Sequence, residues 1–336
     1  MLVATGPGND QILLNDSGND VVYAGAGNDV VVGGNGADTI YGQGGNDLLI
    51  AGHGGGAVYG GDGNDTLSGT SGNDSLYGGN GNDLVMGGTG HHELLAGGNG
   101  NDTLFAGTGN DTLTGGSGND QLHGGAGTDS ILGGGGNDTL YGGSGDATLD
   151  GGAGDDSIVG GSGHHQLLIG GAGHNTLIAG SGNDTLVAGN DGDVLRAGSG
   201  NDLLLGGHGN DTLYGGSGHA TLNGGGGNDY LFGGTGDNTL VGGHGNDTFI
   251  GGSGNESLGG GAGHHNDLFI AGAGNETIDA GGGQNTLVFA NTSFEDATIS
   301  TNMHTRVTTI AIAGGPTDKV EDVQTVIFND SVIKLS

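Results

Sequence analysis

The chain has 336 residues, of which 89 are Gly, 2 are Pro and none is Cys or Trp, and 38 acidic against 4 basic side chains give a formal charge of −34. That much glycine excludes a helical or α/β globule, because glycine disfavours helix interiors and loses much backbone entropy on folding; the scarcity of proline excludes collagen. The acidity excludes nucleic acid and anionic membranes as partners, and no apolar run reaches the roughly 18 residues that a membrane helix needs.

From Thr5 to Val288 one unit of nine residues recurs, as where Gly115-Gly116-Ser117-Gly118-Asn119-Asp120-Gln121-Leu122-His123 runs straight into Gly124-Gly125-Ala126-Gly127-Thr128-Asp129-Ser130-Ile131-Leu132. There are 31 units, most of nine residues and a few of ten or eleven. The eighth residue is apolar in every unit, from Ile12, Val22 and Val31 to Leu258, Leu268, Ile278 and Leu287, and the sixth is Asp in 20 of the 31. The spacing predicts a three-residue strand centred on each apolar residue, which points inward. The six remaining residues, rich in glycine, turn the chain. Two units make one coil of 18 residues, and stacked coils give an all-β parallel solenoid with two facing sheets. A helix is excluded, since Gly-Gly in every unit leaves no continuous apolar face at 3.6-residue spacing.

The recurring G-G-x-G-x-D-x-U-x resembles the RTX (hemolysin-type) calcium-binding repeat, which forms a parallel β-roll, and the resemblance covers residues 5–288. It implies Ca²⁺ held between loops of the same edge one coil apart, with carboxylate oxygen from the sixth-position Asp and most other ligands from loop carbonyls. The residues argue the same way. A unit fixes nine residues, at about 1–2 kcal/mol of backbone entropy each, yet buries one aliphatic side chain worth about 1.5–3 kcal/mol. A hard cation with oxygen ligands would neutralise the repelling carboxylates and tie loop to loop.

Alternate units fall on opposite edges of the coil. The first edge carries Asp10, Asp29, Asp47, Asp65, Asp83, Asp102, Asp120, Asp138 and Asp156, then Asn175, then Asp193, Asp211, Asp229 and Asp247, and loses Asp at His265 and Asn285. The second carries Asp20, Asp38, Asp74, Asp111, Asp129, Asp184 and Asp202, interrupted by Gly56, His92, Ala147, His165, Ala220, Asn238, Glu256 and Glu276. Fourteen neighbouring Asp–Asp pairs predict about 14 or more Ca²⁺, which would bring the charge from −34 to about −6. The first edge is expected to be the continuous calcium seam, and the second to be partly free of metal.

Three units carry His pairs with extra residues, His91-His92, His164-His165 and His264-His265, so that Leu94 or Leu95, and Leu167 or Leu168, could face inward. The pairs stand in different coils and read as loop filler. No nucleotide loop or hydrolase elbow is present in the sequence, and no enzymatic activity is expected.

Residues 289–336 lose the glycine and hold three of the four basic residues, Arg306, Lys319 and Lys334. Val320-Glu321-Asp322-Val323-Gln324-Thr325-Val326-Ile327-Phe328-Asn329-Asp330 resembles the C-terminal cap of RTX proteins. The resemblance implies an uncleaved C-terminal signal for the type I secretion machinery, consistent with a Met1–Gly6 start that lacks a signal-peptide pattern. The first unit begins almost at once, so either the chain is part of a longer protein or its N-terminal end serves self-association. The reading is a secreted, extracellular calcium-binding structural protein that folds on Ca²⁺, belonging to a cell-surface layer, adhesin stalk or filament. The alternative is the secretion and folding module of a larger type I-secreted enzyme or toxin.

Overall fold

The computed structural model describes residues 1–302 and 307–335, leaving Arg306 and Ser336 outside. It divides into two compact units, Met1–Gly171 and Ala172–Ser336. Each is a parallel β-solenoid of two sheets.

In the first unit the register steps by one coil of 18 residues, pairing Leu113 with Ile131 in one sheet and Leu122 with Leu140 in the other. The eighth-position side chains form the core: Val22, Ile40, Leu76, Leu113 and Leu140 are all fully buried. Some strands, such as Val30–Val32 and Leu48–Ile50, have the three residues that the sequence predicts, and many are longer. Thr112–Ser117 spans six residues and pairs through its glycines, Gly116 opposite Gly134. Two side-chain positions of such a strand therefore point inward, the apolar eighth residue and the first residue of the next unit, and in the stacked coils the second is Gly or Ala (Gly115, Ala24), with Leu14 there only in the outermost coil. The turn itself is short.

Glycine is required at the fourth position. Gly118 has φ +125° and a Cβ there would fall on the carbonyl of Gly100 one coil away, so the loops stack backbone on backbone. On the outer face, like side chains stack in rows. Tyr23, Tyr41, Tyr59 and Tyr77 lie with ring centroids 4.8–4.9 Å apart and nearly parallel planes.

The His-pair units settle into one register. Leu95, Leu168 and Phe269 are buried, so Phe269 rather than Leu268 is the inward residue of its unit. The inserted residue lengthens the loop, and the chain re-enters the sheet that much later, Leu95 pairing with Leu76 nineteen residues back.

In the second unit the two sheets reach Thr277–Asp279 and Thr286–Val288. The chain then leaves for an antiparallel hairpin, Ala297–Thr301 with Thr308–Ile312. It returns to add one more coil without the nonapeptide sequence. Thr317–Glu321 pairs in parallel with Thr277–Asp279, and Thr325–Ile327 with Thr286–Val288. Antiparallel strands cover both new edges, Thr308–Ile312 on one and Val332–Lys334 on the other. Phe289 and Phe294 pack on Phe328 beneath them. Covered edges of this kind prevent strand-to-strand aggregation.

Candidate metal centre

Each sixth-position Asp stands at the mouth of a strand, and the ring of the coil presents it to the residue one coil earlier. On the first edge of the first unit the backbone N–H of Asp47 donates to Oδ1 of Asp65 at 2.7 Å, Asp65 to Asp83 at 2.7 Å, Asp83 to Asp102 at 2.8 Å and Asp102 to Asp120 at 2.7 Å. The ladder begins with Asp10 donating to Asp29 and runs through Asp120 and Asp138 to Asp156. In the second unit a ladder of the same kind joins Asn175, Asp193, Asp211, Asp229 and Asp247. The second edge holds shorter stretches: Asp20 to Asp38, Asp111 to Asp129, and Asp184 to Asp202. Asp20 also receives the terminal ammonium of Met1.

The neighbouring fifth position does the reverse. The N–H of Asn46 donates to Oδ1 of Asn28, Asn64 to Asn46 and Asn82 to Asn64. An Asn-Asp dipeptide thus bonds the coil before it and the coil after it. Sequence reasoning assigned these Asp only to metal and gave Asn no role; the recurrence of Asn-Asp was the signal available.

The structure places other residues than the expected ones at three sixth positions. Glu93, Gln166 and Asp267 stand there instead of His92, His165 and His265, because the inserted residue sits in the loop before them. Glu93 donates its N–H to Asp111, and Asp247 donates to Asp267, so the first-edge row gains a carboxylate.

Asp38 uses both oxygens, its Oδ2 accepting the N–H of Gly34 at 3.0 Å, but in most of the row one oxygen is left over. Oδ2 of Asp29, Asp47, Asp65, Asp83, Asp102, Asp120, Asp138, Asp193, Asp211, Asp229 and Asp247 is buried without a hydrogen-bond partner, as is that of Asp20, Asp74, Asp111, Asp129 and Asp202 on the other edge. Asp10, in the outermost coil, is only half-buried. Burial pushes the carboxyls of Asp102, Asp211 and Asp247 up to about 7, and those of Asp47, Asp65, Asp120, Asp193 and Asp229 up to about 6. The ladder N–H partly offsets this, and for most of them a neighbouring carboxylate adds to it. At a strand spacing of ~4.8 Å, two carboxylates repel by about 3 kcal/mol at an effective dielectric of ~20. Such a row needs positive charge.

Three natural substitutions mark where that charge belongs. Asn238 accepts the ladder bond from Ala220 and turns its amide to the carbonyls of Gly233 and Gly236, at 2.8 and 2.7 Å. Asn285 donates to Ala280 at 2.9 Å and Asn175 to Gly173 at 3.1 Å. These are the first- or fourth-position carbonyls of each loop. An amide there supplies N–H donors to the oxygens that, beside an Asp, have only another acceptor for a neighbour. Carboxylate Oδ2 and loop carbonyls together form a hard-oxygen donor set that suits Ca²⁺. Among the described residues, no three His, Asp or Glu side chains converge on one point; what each coil brings together is one carboxylate and backbone oxygen.

A parallel solenoid with such loops defines a calcium-binding repeat protein. The family described as the RTX calcium-binding nonapeptide repeat (4 copies) matches residues 14–49, 59–91, 96–131, 132–164, 166–195, 187–222, 223–258 and 265–287. The chain belongs to that family. No curated protein sequence matches it. Among solved structures, a hyperactive, Ca²⁺-dependent, β-helical antifreeze protein from an Antarctic bacterium is 18% identical over 98% of this chain and 94% of that one, with a TM-score of 0.27. The extracellular lipase LipA from Serratia marcescens is 22% identical over 59% of this chain and 38% of that one, with a TM-score of 0.16. Neither likeness is close enough to inform what this chain does.

Proposed function

We propose that the chain is an extracellular scaffold whose solenoid forms only when calcium enters its loops. The single observation that carries this reading is the row of buried carboxylates with one oxygen unpartnered, seven of them consecutive from Asp29 to Asp138 on the first edge. Without cations that row opposes folding. With them it joins every coil to the next. Affinities in the extracellular range, about 10⁻⁴–10⁻³ M, would keep the chain unfolded where calcium is scarce and fold it outside the cell. Export by the type I route, and service in a surface layer, adhesin stalk or filament, follow from that order of events. The first edge is the principal seam, with about 14 or more ions in all over both edges; the second, broken at Gly56, Ala147, Ala220 and Asn238, holds fewer.

Calcium titration followed together by circular dichroism and light scattering tests the proposal. Gain of β signal at millimolar calcium with growth into large assemblies supports the scaffold. Gain of β signal in a monodisperse monomer favours the folding module of a larger protein. A full β signal in chelator overturns both.

A further inference from the structure

The nonapeptide pattern and the family match both end before residue 289, yet one carboxylate beyond that point enters the second-edge ladder. Asp318 accepts the backbone N–H of Glu276 on Oδ1 at 3.0 Å, the bond that Asp65 and Asp129 make to the coil before them. Its neighbour Thr317 donates to Oδ1 of Asn275 at 2.8 Å, reproducing the fifth-position bond. The strand register agrees, Ile278 lying opposite Val320. Thr317-Asp318-Lys319-Val320-Glu321 therefore occupies positions five to nine of a coil, 42 residues after the coil it stacks on.

The two carboxyls at this junction face each other in the interior. Glu276 is 1% exposed and Asp318 is fully buried, and Oε2 of the one and Oδ2 of the other have no hydrogen-bond partner. Oε1 of Glu276 accepts the N–H of Gly272 at 3.2 Å. Among the described residues neither carboxyl has an ion pair. Lys319, the nearest basic residue in sequence, lies on the exposed side of its strand. Glu256, one coil earlier, adds further negative charge. Two acceptors are thus pressed together where no protein donor reaches them.

We propose that Glu276 and Asp318 hold a calcium ion of their own, outside the repeat pattern, and that this ion fastens the strand Thr317–Glu321 to the last repeat coil. The longer arm of Glu276 takes up the role that Asp plays in the regular coils. The C-terminal segment then docks only on a solenoid already filled with calcium, so capping follows repeat folding. This inference rests on the calcium reading of the ladders.

Native mass spectrometry of the full chain at saturating calcium counts the bound ions, and hydrogen exchange reads the docking of residues 317–321. The variant E276Q/D318N is expected to carry one calcium fewer than wild type and to exchange the amides of 317–321 at least about tenfold faster, with exchange in residues 112–161 unchanged. A wild-type count in the variant overturns the proposal and leaves the two carboxyls sharing a proton. A wild-type chain that binds no calcium at all instead overturns the reading of the ladders. Should the double variant lose the wild-type circular dichroism, D318N alone is counted, since it keeps an oxygen for the Glu276 amide; an unchanged count there is equally fatal.

Discussion

An aspartate in this chain has two separate tasks, one for each oxygen. Oδ1 of Asp65 closes a hydrogen bond to the coil before it, and Oδ2 is left for a cation. The first task needs only an acceptor, which explains why Asn238 or Asn285 can take the position without breaking the ladder. The second needs charge. Converting Asn238 to Asp should add one ion at saturation, counted by native mass spectrometry, while raising the calcium concentration at which the chain folds. The pH response follows from the raised carboxyls. In metal-free protein the folded values of about 6 to 7 for Asp47, Asp102, Asp211 and Asp247 lie above the ~3.9 of an unfolded Asp. Their contribution favours folding fully below ~3.9 and is lost as pH rises through 6 and 7. Calcium-free chain should therefore gain β signal between pH 7.5 and pH 5, where protons stand in for the cation, and a monotonic loss on acidification would contradict the assignment. With calcium present, the same protons compete, and apparent affinity should fall below about pH 6.

At the scale of the strand and loop, glycine sets what can stack. Gly118 and its counterparts at the fourth position touch the backbone of the coil before them, whereas Gly135, at a third position, has nothing within 4 Å of its missing Cβ. G118V should cost ~2 kcal/mol or more through strain and overlap, seen as a higher calcium midpoint in circular dichroism, and G135A should leave the midpoint in place. The strand, the 18-residue coil and the inward eighth residue were legible because the period and the apolar position hardly vary. The His-pair units were not. An inserted residue can sit on either side of the sixth position, and the adjacent leucines Leu94 and Leu95 gave the sequence two equally apolar answers. The extra coil at Thr317–Ile327 was hidden for another reason: it arrives from a hairpin, so its loop has no need of the Gly-Gly signature, and the pattern survives only in Asp318 and Gln324 at the ladder and Val320 and Val326 in the core. Half of the candidate site was legible in the same way. The carboxylates stood out by recurrence, but their hydrogen bonds depend on which atom faces the preceding coil, which composition does not encode.

For the molecule as a whole, a formal charge of −34 resists compaction until something offsets it. Monovalent salt screens that charge but does not enter a buried oxygen site, and Mg²⁺ demands six close ligands in near-octahedral order. Millimolar Ca²⁺ should accordingly shrink the hydrodynamic radius cooperatively, and neither NaCl at equal ionic strength nor millimolar Mg²⁺ should reproduce the transition in dynamic light scattering. The stacked row of Tyr23, Tyr41, Tyr59 and Tyr77 gives this transition a visible signature. With no tryptophan to drain it, light absorbed by one ring hops along the row before it is emitted, and because the rings lie nearly parallel the hops keep its polarisation, so the glow of the assembled chain stays polarised and that of the loose, fast-turning chain does not. The molecule carries its own optical gauge, and no dye need be attached to follow its coils coming together.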